Sequence, residues 1–496
     1  MRYLITGATG YIGGRLAPRL VDKGEGDTVR CLVRDPGKLR DVPWAAHAEI
    51  VQGDLLDPES VRAACRDVDV VYFLVHSLSD KGFAGLDRRA ALILAEAARE
   101  AGVTRIVYLG GLHPDGPLSE HLASRAEVGE ILLRSGVPTA ALQAAVILGS
   151  GSASFEMLRY LTERLPVMLT PSWVRNRIQP IAVRDVLRYL VAAAELPPEV
   201  NRTFDIGGPD VLTYVDMMQR YAAVARLPRR RVVAVPVLTP RLSAHWVNVV
   251  TPVPKGIAAP LIESLVHEVV CRENDILEYV PGDCLGYERA VELALARITD
   301  GEVETHWSGA AVAGAPSDPL PSDPDWSGGT VYTDDREQQC TAPAADLWKV
   351  VTGIGGERGW YSFPLAWSVR GWMDRLVGGV GLARGRRDPD RLHVGDALDW
   401  WRVETLEEGT LLRLRAEMKV PGLAWLEMRV EPAPSGSRYT QRAVFVPHGL
   451  GGHLYWWSVA PFHGIVFGGM VRNITRTAER ARTEPVRAPS APRRAS

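Results

Sequence analysis

Over roughly residues 1–225, short continuous apolar runs alternate with helix-length amphipathic segments. The runs "RYLI", "TVRCLV", "AEIVQG", "VDVVYFLV" and "TRIVYLG" lack the in-out alternation of a half-solvated strand and read as strands buried on both faces. Between them, "DPESVRAACRD" opens on an acidic first turn, and "RRAALILAEAAREAG" closes on the glycine that commonly ends a helix. Strand and helix in regular alternation predict an α/β fold, a Rossmann-like doubly wound parallel sheet with helices on both faces.

The pattern changes further on. Residues from about 226 to 305 mix apolar and basic stretches and are expected to cap the first domain, which then spans 1–305. Residues 306–329, with "SGAAVAGAPSDPLPSDPDWSGG" at 308–329, are dense in Pro, Gly, Ser and Asp and are expected to form a linker. Residues 330–482 contain nine of the fourteen tryptophans. There "LLRLRAEMKV" alternates apolar and charged with period two, and "AWLEMRVE" repeats the pattern after Pro421-Gly422. A short helix, "APAADLWKVV", precedes these strands and a longer one, from His463 on, follows them. The prediction is an α+β domain: a curved antiparallel sheet closed by a C-terminal helix, with the tryptophans as either cavity wall or core. Residues 483–496 are expected to be a disordered tail.

Composition narrows the classes of function. A formal net charge of -2 gives no electrostatic reason to expect nucleic acid. The five cysteines are scattered with no CxxC pair, which argues against a disulfide framework or a zinc site and for a reducing, cytoplasmic setting. The apolar run at the N-terminus stops at Thr6-Gly7, too soon for a signal peptide. Residues 443–471 contain no Asp, Glu, Lys or Arg, enough length for a membrane span. Two prolines, three histidines and six glycines predict instead that this stretch breaks into a strand, a loop and a short helix start. No membrane span is expected, and the histidines lack an acidic companion, so no metal is assigned.

The candidate chemistry starts at "TGATGYIGG". Gly7, Gly10 and Gly13 fall between the first strand and its helix, where they allow a tight turn, backbone approach to a pyrophosphate and close helix-sheet packing. Thr6 and Thr9 share the bend, and the N–H groups of Tyr11 and Ile12 open the helix toward an anion. At the end of the second strand stand Arg34 and, one turn on, Lys38, suited to the 2'-phosphate of NADP. The neighbouring Asp35 keeps NAD open. Asp54 and Leu55 are placed to meet the adenine, or Asp54 begins the next helix. Val75 and His76 end the fourth strand, where ligands of open sheets bind. His76 faces the cofactor or is a hydrogen-bonded structural histidine.

These segments, with "LVRDPGKL", "VQGDLLD", "RIVYLGGL", "RIQPIAVRDV" and "TFDIGGPDVLTY", resemble the atypical short-chain dehydrogenase/reductase superfamily, its NmrA-like branch included. The resemblance covers about residues 1–300. The whole chain is similar to bacterial two-domain members with a C-terminal domain of unknown function, which in turn resembles the polyketide-cyclase/START-like helix-grip fold. The resemblance implies NAD(P)H binding and hydride transfer with a small apolar carbonyl, enone or quinone-like partner, or else a non-catalytic redox sensor. It also implies that Arg177, Gln179 and Pro180 line the substrate cleft.

Active members carry a Tyr-x-x-x-Lys pair. None of the six lysines here has a tyrosine four residues before it. At the expected place His121 and Arg125 hold that spacing, as proton donor and ribose anchor, or as an exposed polar helix start. An arginine there would lower the histidine's pKa. The oligomeric state is not readable from sequence.

Overall fold

The computed structural model describes the chain except residues 25, 77–81, 115, 117, 236–246, 248–249, 300–319, 321, 325, 357–358, 362–390 and 484–496. It divides into two compact units, Met1–Gly329 and Thr330–Ser496. The expected tail, and Trp367, Trp372, Arg384, Arg386 and Arg387, lie outside the described residues.

In the first unit, β1 (Arg2–Thr6), β2 (Thr28–Val33), β3 (Glu49–Gln52), β4 (Val70–Phe73), β5 (Arg105–Gly111), β6 (Thr139–Ala144) and β7 (Arg202–Ile206) form one sheet. Its order is β7-β6-β5-β4-β1-β2-β3, and every pairing is parallel. Side chains alternate faces along each strand, and both faces are covered. Tyr3 and Ile5 of β1 pack with Leu16 and Leu20 of α1 (Tyr11–Val21) and Val186 and Leu190 of α6 (Val183–Ala193). On the other face Leu4 shares one buried cluster with Val61 of α2 (Pro58–Cys65), Leu94 of α3 (Phe83–Glu100) and Leu132 of α4 (Glu120–Leu133). The strand order reverses between β1 and β4, which opens a crevice beyond their carboxyl ends.

The cap expected from residue 226 draws on earlier residues as well. Phe155 and Leu158 of α5 (Ala153–Arg164), Met217 and Tyr221 of α7 (Tyr214–Val224), and Tyr287 and Val291 of α8 (Tyr287–Thr299) share one buried cluster.

The expected linker needs a correction. Of its residues, Leu320 and those described up to Gly329 belong to the first unit. Asp323 forms a forked pair with Arg15 of α1, Nη1 to Oδ1 at 2.9 Å and Nη2 to Oδ2 at 2.7 Å, with both side chains buried. Gly328 N–H donates to buried Glu156 of α5, and the Trp326 carbonyl accepts from Tyr160. Composition suggested a solvated coil, but one carboxylate facing a buried guanidinium holds the segment as a strap across α1 and α5.

In the second unit, β8 (Tyr332–Cys340), β9 (Ala397–Leu398), β10 (Trp401–Glu407), β11 (Leu411–Ala416), β12 (Gly422–Ala433) and β13 (Gly436–Pro447) form an antiparallel sheet ordered β8-β13-β12-β11-β10-β9. Leu414, Leu426, Met428 and Val430 meet Leu347 and Val351 of α9 (Ala344–Thr352) and Phe467, Met470 and Ile474 of α10 (Gly449–Thr483). Trp360, Trp400 and Trp401 belong to this core. Trp360 donates to Asp399 at 2.6 Å and stacks on Trp400.

The broken start expected for the last helix is not seen: α10 runs unbroken through Pro461 for 35 residues. Tertiary packing overrides the local breakers. Trp456 is stacked between Phe445 and Tyr332, and Gly452 lies so close to Pro421 and Pro447 that a side chain there would collide. Among the described residues no helix is long and apolar enough to cross a membrane.

Removing the strap's carboxylate breaks the buried forked pair with Arg15. Asp323→Ala should destabilise the first unit by about 3–5 kcal/mol, read as a lower urea midpoint with an unchanged slope.

Candidate active site

The nucleotide end of the crevice is built by two glycines. Gly7 turns the chain out of β1 at φ +86°, which side chains rarely adopt, and a Cβ there would come within 2.8 Å of the Leu74 carbonyl. Gly13 lies one turn into α1, where a Cβ would fall on the Gly7 carbonyl. Gly10 is exposed and offers no side-chain cap, which leaves the first-turn N–H groups of α1 for an anion. Thr9 is half-buried beside it, and Tyr11 and Ile12 pack their side chains against the core. The Thr6 hydroxyl points elsewhere, donating to the Tyr72 carbonyl at 3.0 Å and tying β1 to β4. Val75 is half-buried against Gly7.

At the end of β2, Arg34 and Lys38 are both exposed, and neither has an ionic partner among the described residues. Asp35 instead caps the short helix that follows, its Oδ1 accepting from Gly37 N–H at 2.9 Å. Asp54 also turns back on its own backbone, accepting from Leu56 N–H at 2.9 Å, while Asp57 caps α2. Leu55 packs at the edge of the core. The cradle therefore fits a dinucleotide: a backbone approach kept clear of Cβ atoms, an uncapped helix start and, at the end of β2, two cations with no ionic partner among the described residues.

Deeper in the crevice the structure joins two residues that the sequence offered separately. His76 Nδ1 lies 2.7 Å from Asp87 Oδ2, and His76 Nε2 lies 2.9 Å from His121 Nδ1. A carboxylate only accepts, so His76 carries its proton on Nδ1 and receives one from His121 Nδ1. The line of hydrogen bonds ends at His121 Nε2, an acceptor with no partner among the described residues. His121 is 5% exposed, which overturns the reading of an exposed helix start. Ser119 caps α4 by accepting from Leu122 N–H, and so holds His121 in the first turn.

Arg125 stands one turn further along α4, its Nε buried without a hydrogen-bond partner among the described residues. Tyr108 of β5 donates to the Arg125 carbonyl at 3.1 Å and fixes the helix on the sheet. Burial, then the Arg125 charge, then His76 push the His121 pKa down to about 2. Burial and Arg125 also lower that of His76, against the opposing pull of Asp87.

Asp87 is the residue that sequence reading missed. Its signal was present: Asp87, Ala91, Leu94 and Ala98 form one buried stripe of α3, and an acid on a helix's apolar stripe needs a partner. The three residues expected to line the substrate cleft are otherwise engaged. Arg177 is exposed and paired with Glu268. Gln179 uses both ends of its amide, on the Gly208 carbonyl and Cys271 N–H, and the Pro180 carbonyl accepts from Gly208 N–H. They hold the cap to the sheet.

Residues 7–150 match the NAD(P)H-binding family and residues 326–470 a family described as a protein of unknown function, DUF2867. The chain carries an NAD(P)H-binding domain joined to a DUF2867 domain. A (4-alkanoyl-5-oxo-2,5-dihydrofuran-3-yl)methyl phosphate reductase of Streptomyces griseus is 28% identical over 46% of this chain and 75% of its own. A ceramide reductase of Caulobacter vibrioides is 32% identical over 39% of this chain, which spans only 61% of that relative's length. The solved triphenylmethane reductase of Citrobacter sp. superposes on 60% of this chain and 100% of its own, at 21% identity and a TM-score of 0.49.

The buried histidines set a pH response. Unfolded, each returns to a pKa of about 6.5 and takes up a proton on acidification that the folded state refuses. Stability is therefore full above that value and falls below it. Between about pH 7 and pH 5 the wild type should lose about 2 kcal/mol more than His121→Gln, measured by urea unfolding of both.

Proposed function

We propose that the protein is an NADPH-dependent oxidoreductase for a small apolar carbonyl, enone or quinone-like substrate. The observation that carries this is the Asp87–His76–His121 line, which ends in an uncommitted ring nitrogen inside a dinucleotide-binding crevice. The bound cofactor supplies or accepts the hydride. The chain handles the proton. His121 Nε2 takes the hydroxyl proton in oxidation and returns it to the oxygen in reduction, while Asp87, acting through His76, fixes its tautomer. Arg125, with no acidic partner among the described residues, holds the ribose or the developing oxyanion. The reductase names of the two relatives support the reaction class, and the exposed Arg34 and Lys38, beside an Asp35 engaged in its cap, support NADPH over NADH.

A second reading is favoured by one observation. No Tyr-x-x-x-Lys pair exists, and the histidine line is neutral near pH 7, so the domain could bind NADP(H) and report its redox state without turnover. Steady-state turnover across a carbonyl and quinone panel separates the two.

Arg34→Ala should weaken NADPH by about 10- to 100-fold and leave NADH nearly unchanged, as expected for one charge-assisted contact to a phosphate. Calorimetric titration measures both. Asp87→Asn should lower kcat on the order of 100-fold with the nucleotide affinity kept. The reductive rate uses the protonated line, so it should fall by about tenfold per unit as pH rises through neutrality, while the oxidative rate does not fall.

A further inference from the structure

The second unit carries a feature that the reductase reading does not use. One side of α10 is built into the core through Phe467, Met470, Val471, Ile474 and Ala478. The opposite side presents large apolar groups to water: Leu450, Leu454, Trp457, Phe462 and Ile465 are 39–66% exposed. Their spacing of three to five residues sets them along one helix face. The 29 residues 443–471 hold no Asp, Glu, Lys or Arg, so no fixed charge opposes their entry into an apolar phase. Two turns beyond Ile465 the same face continues as Arg472, Arg476 and Arg480, all exposed. Arg472 and Arg476 have no acidic partner among the described residues. Glu479, the acid nearest them, is turned toward Thr341, accepting from its N–H and hydroxyl.

An apolar stripe that runs into Arg472 and Arg476, two exposed guanidinium groups with no acidic partner among the described residues, matches one kind of surface. The acyl boundary of a bilayer takes Leu454, Phe462 and Ile465, the headgroup level suits the indole of Trp457, and lipid phosphates meet the arginines. A protein partner of ordinary composition would face a rim of mixed charges. Here the charge that continues the stripe along the helix is cationic. Because the other side of α10 is core, the helix lies on the membrane and cannot pass through it.

We propose that this face of α10 docks the protein onto anionic lipid bilayers. The proposal is independent of the reaction assigned above. It is tested with the full chain by flotation on phosphatidylcholine vesicles with and without phosphatidylglycerol, with tryptophan fluorescence followed in parallel. The wild type should float with the anionic vesicles only, with a blue-shifted emission, and should be released by high salt. The double variant Arg472→Gln/Arg476→Gln should bind about 25-fold more weakly, roughly fivefold for each arginine. Leu454→Ser/Trp457→Ser/Ile465→Ser should not float even at low salt. Both variants should keep the wild-type thermal midpoint and NADPH affinity, since every substituted side chain is exposed. Failure of the wild type to float on either vesicle overturns the proposal, as does flotation that neither variant weakens. A doubled mass in solution that the triple variant abolishes also overturns it, by showing that a second copy covers the stripe.

Discussion

Helix α1 approaches the sheet only as closely as Gly13 allows. A Cβ at that position would fall on the carbonyl of Gly7, the residue whose positive φ turns the chain out of β1. With both present, the start of α1 comes down over the end of β1, at the point where the strand order reverses. Everything in the crevice takes its place from this contact. The uncapped N–H groups, the end of β2 with its two cations and the end of β4 with His76 converge because α1 does not stand off by the width of a side chain.

The doubly wound fold was legible in the chain because burial on both faces leaves an unmistakable trace: strands without polar alternation, spaced by helix-length segments. The cradle was legible for a similar local reason, since its glycines lie within seven residues. The Asp87–His76–His121 line was only half legible. His76 and His121 are 45 positions apart and meet only because β4 and α4 do, and Asp87 was hidden inside an otherwise ordinary amphipathic helix. Arg177, Gln179 and Pro180 were assigned to the substrate cleft through the resemblance alone, and no local pattern shows the hydrogen bonds that Arg177 and Gln179 form with segments 29 to 92 positions away.

In the second unit, alternation revealed the strands but could not say where the last helix begins. Glycines and a proline are weak helix formers in isolation, and the stacked aromatic rings of Phe445, Trp456 and Tyr332 outweigh them only once the sheet exists. The continuous helix that results has two sides of different use: one completes a core and the other remains open to water.

The strap has a consequence for how the protein is made. Arg15 is synthesised well before its partner Asp323, which follows 308 residues later. At typical elongation rates of about 5–20 residues per second, the guanidinium waits roughly 15–60 s for its partner. Through that interval the N-terminal half has its sheet but lacks the piece that closes over α1 and α5. The dinucleotide-binding domain is thus finished from its far end, just as the ribosome begins the strands of the next domain.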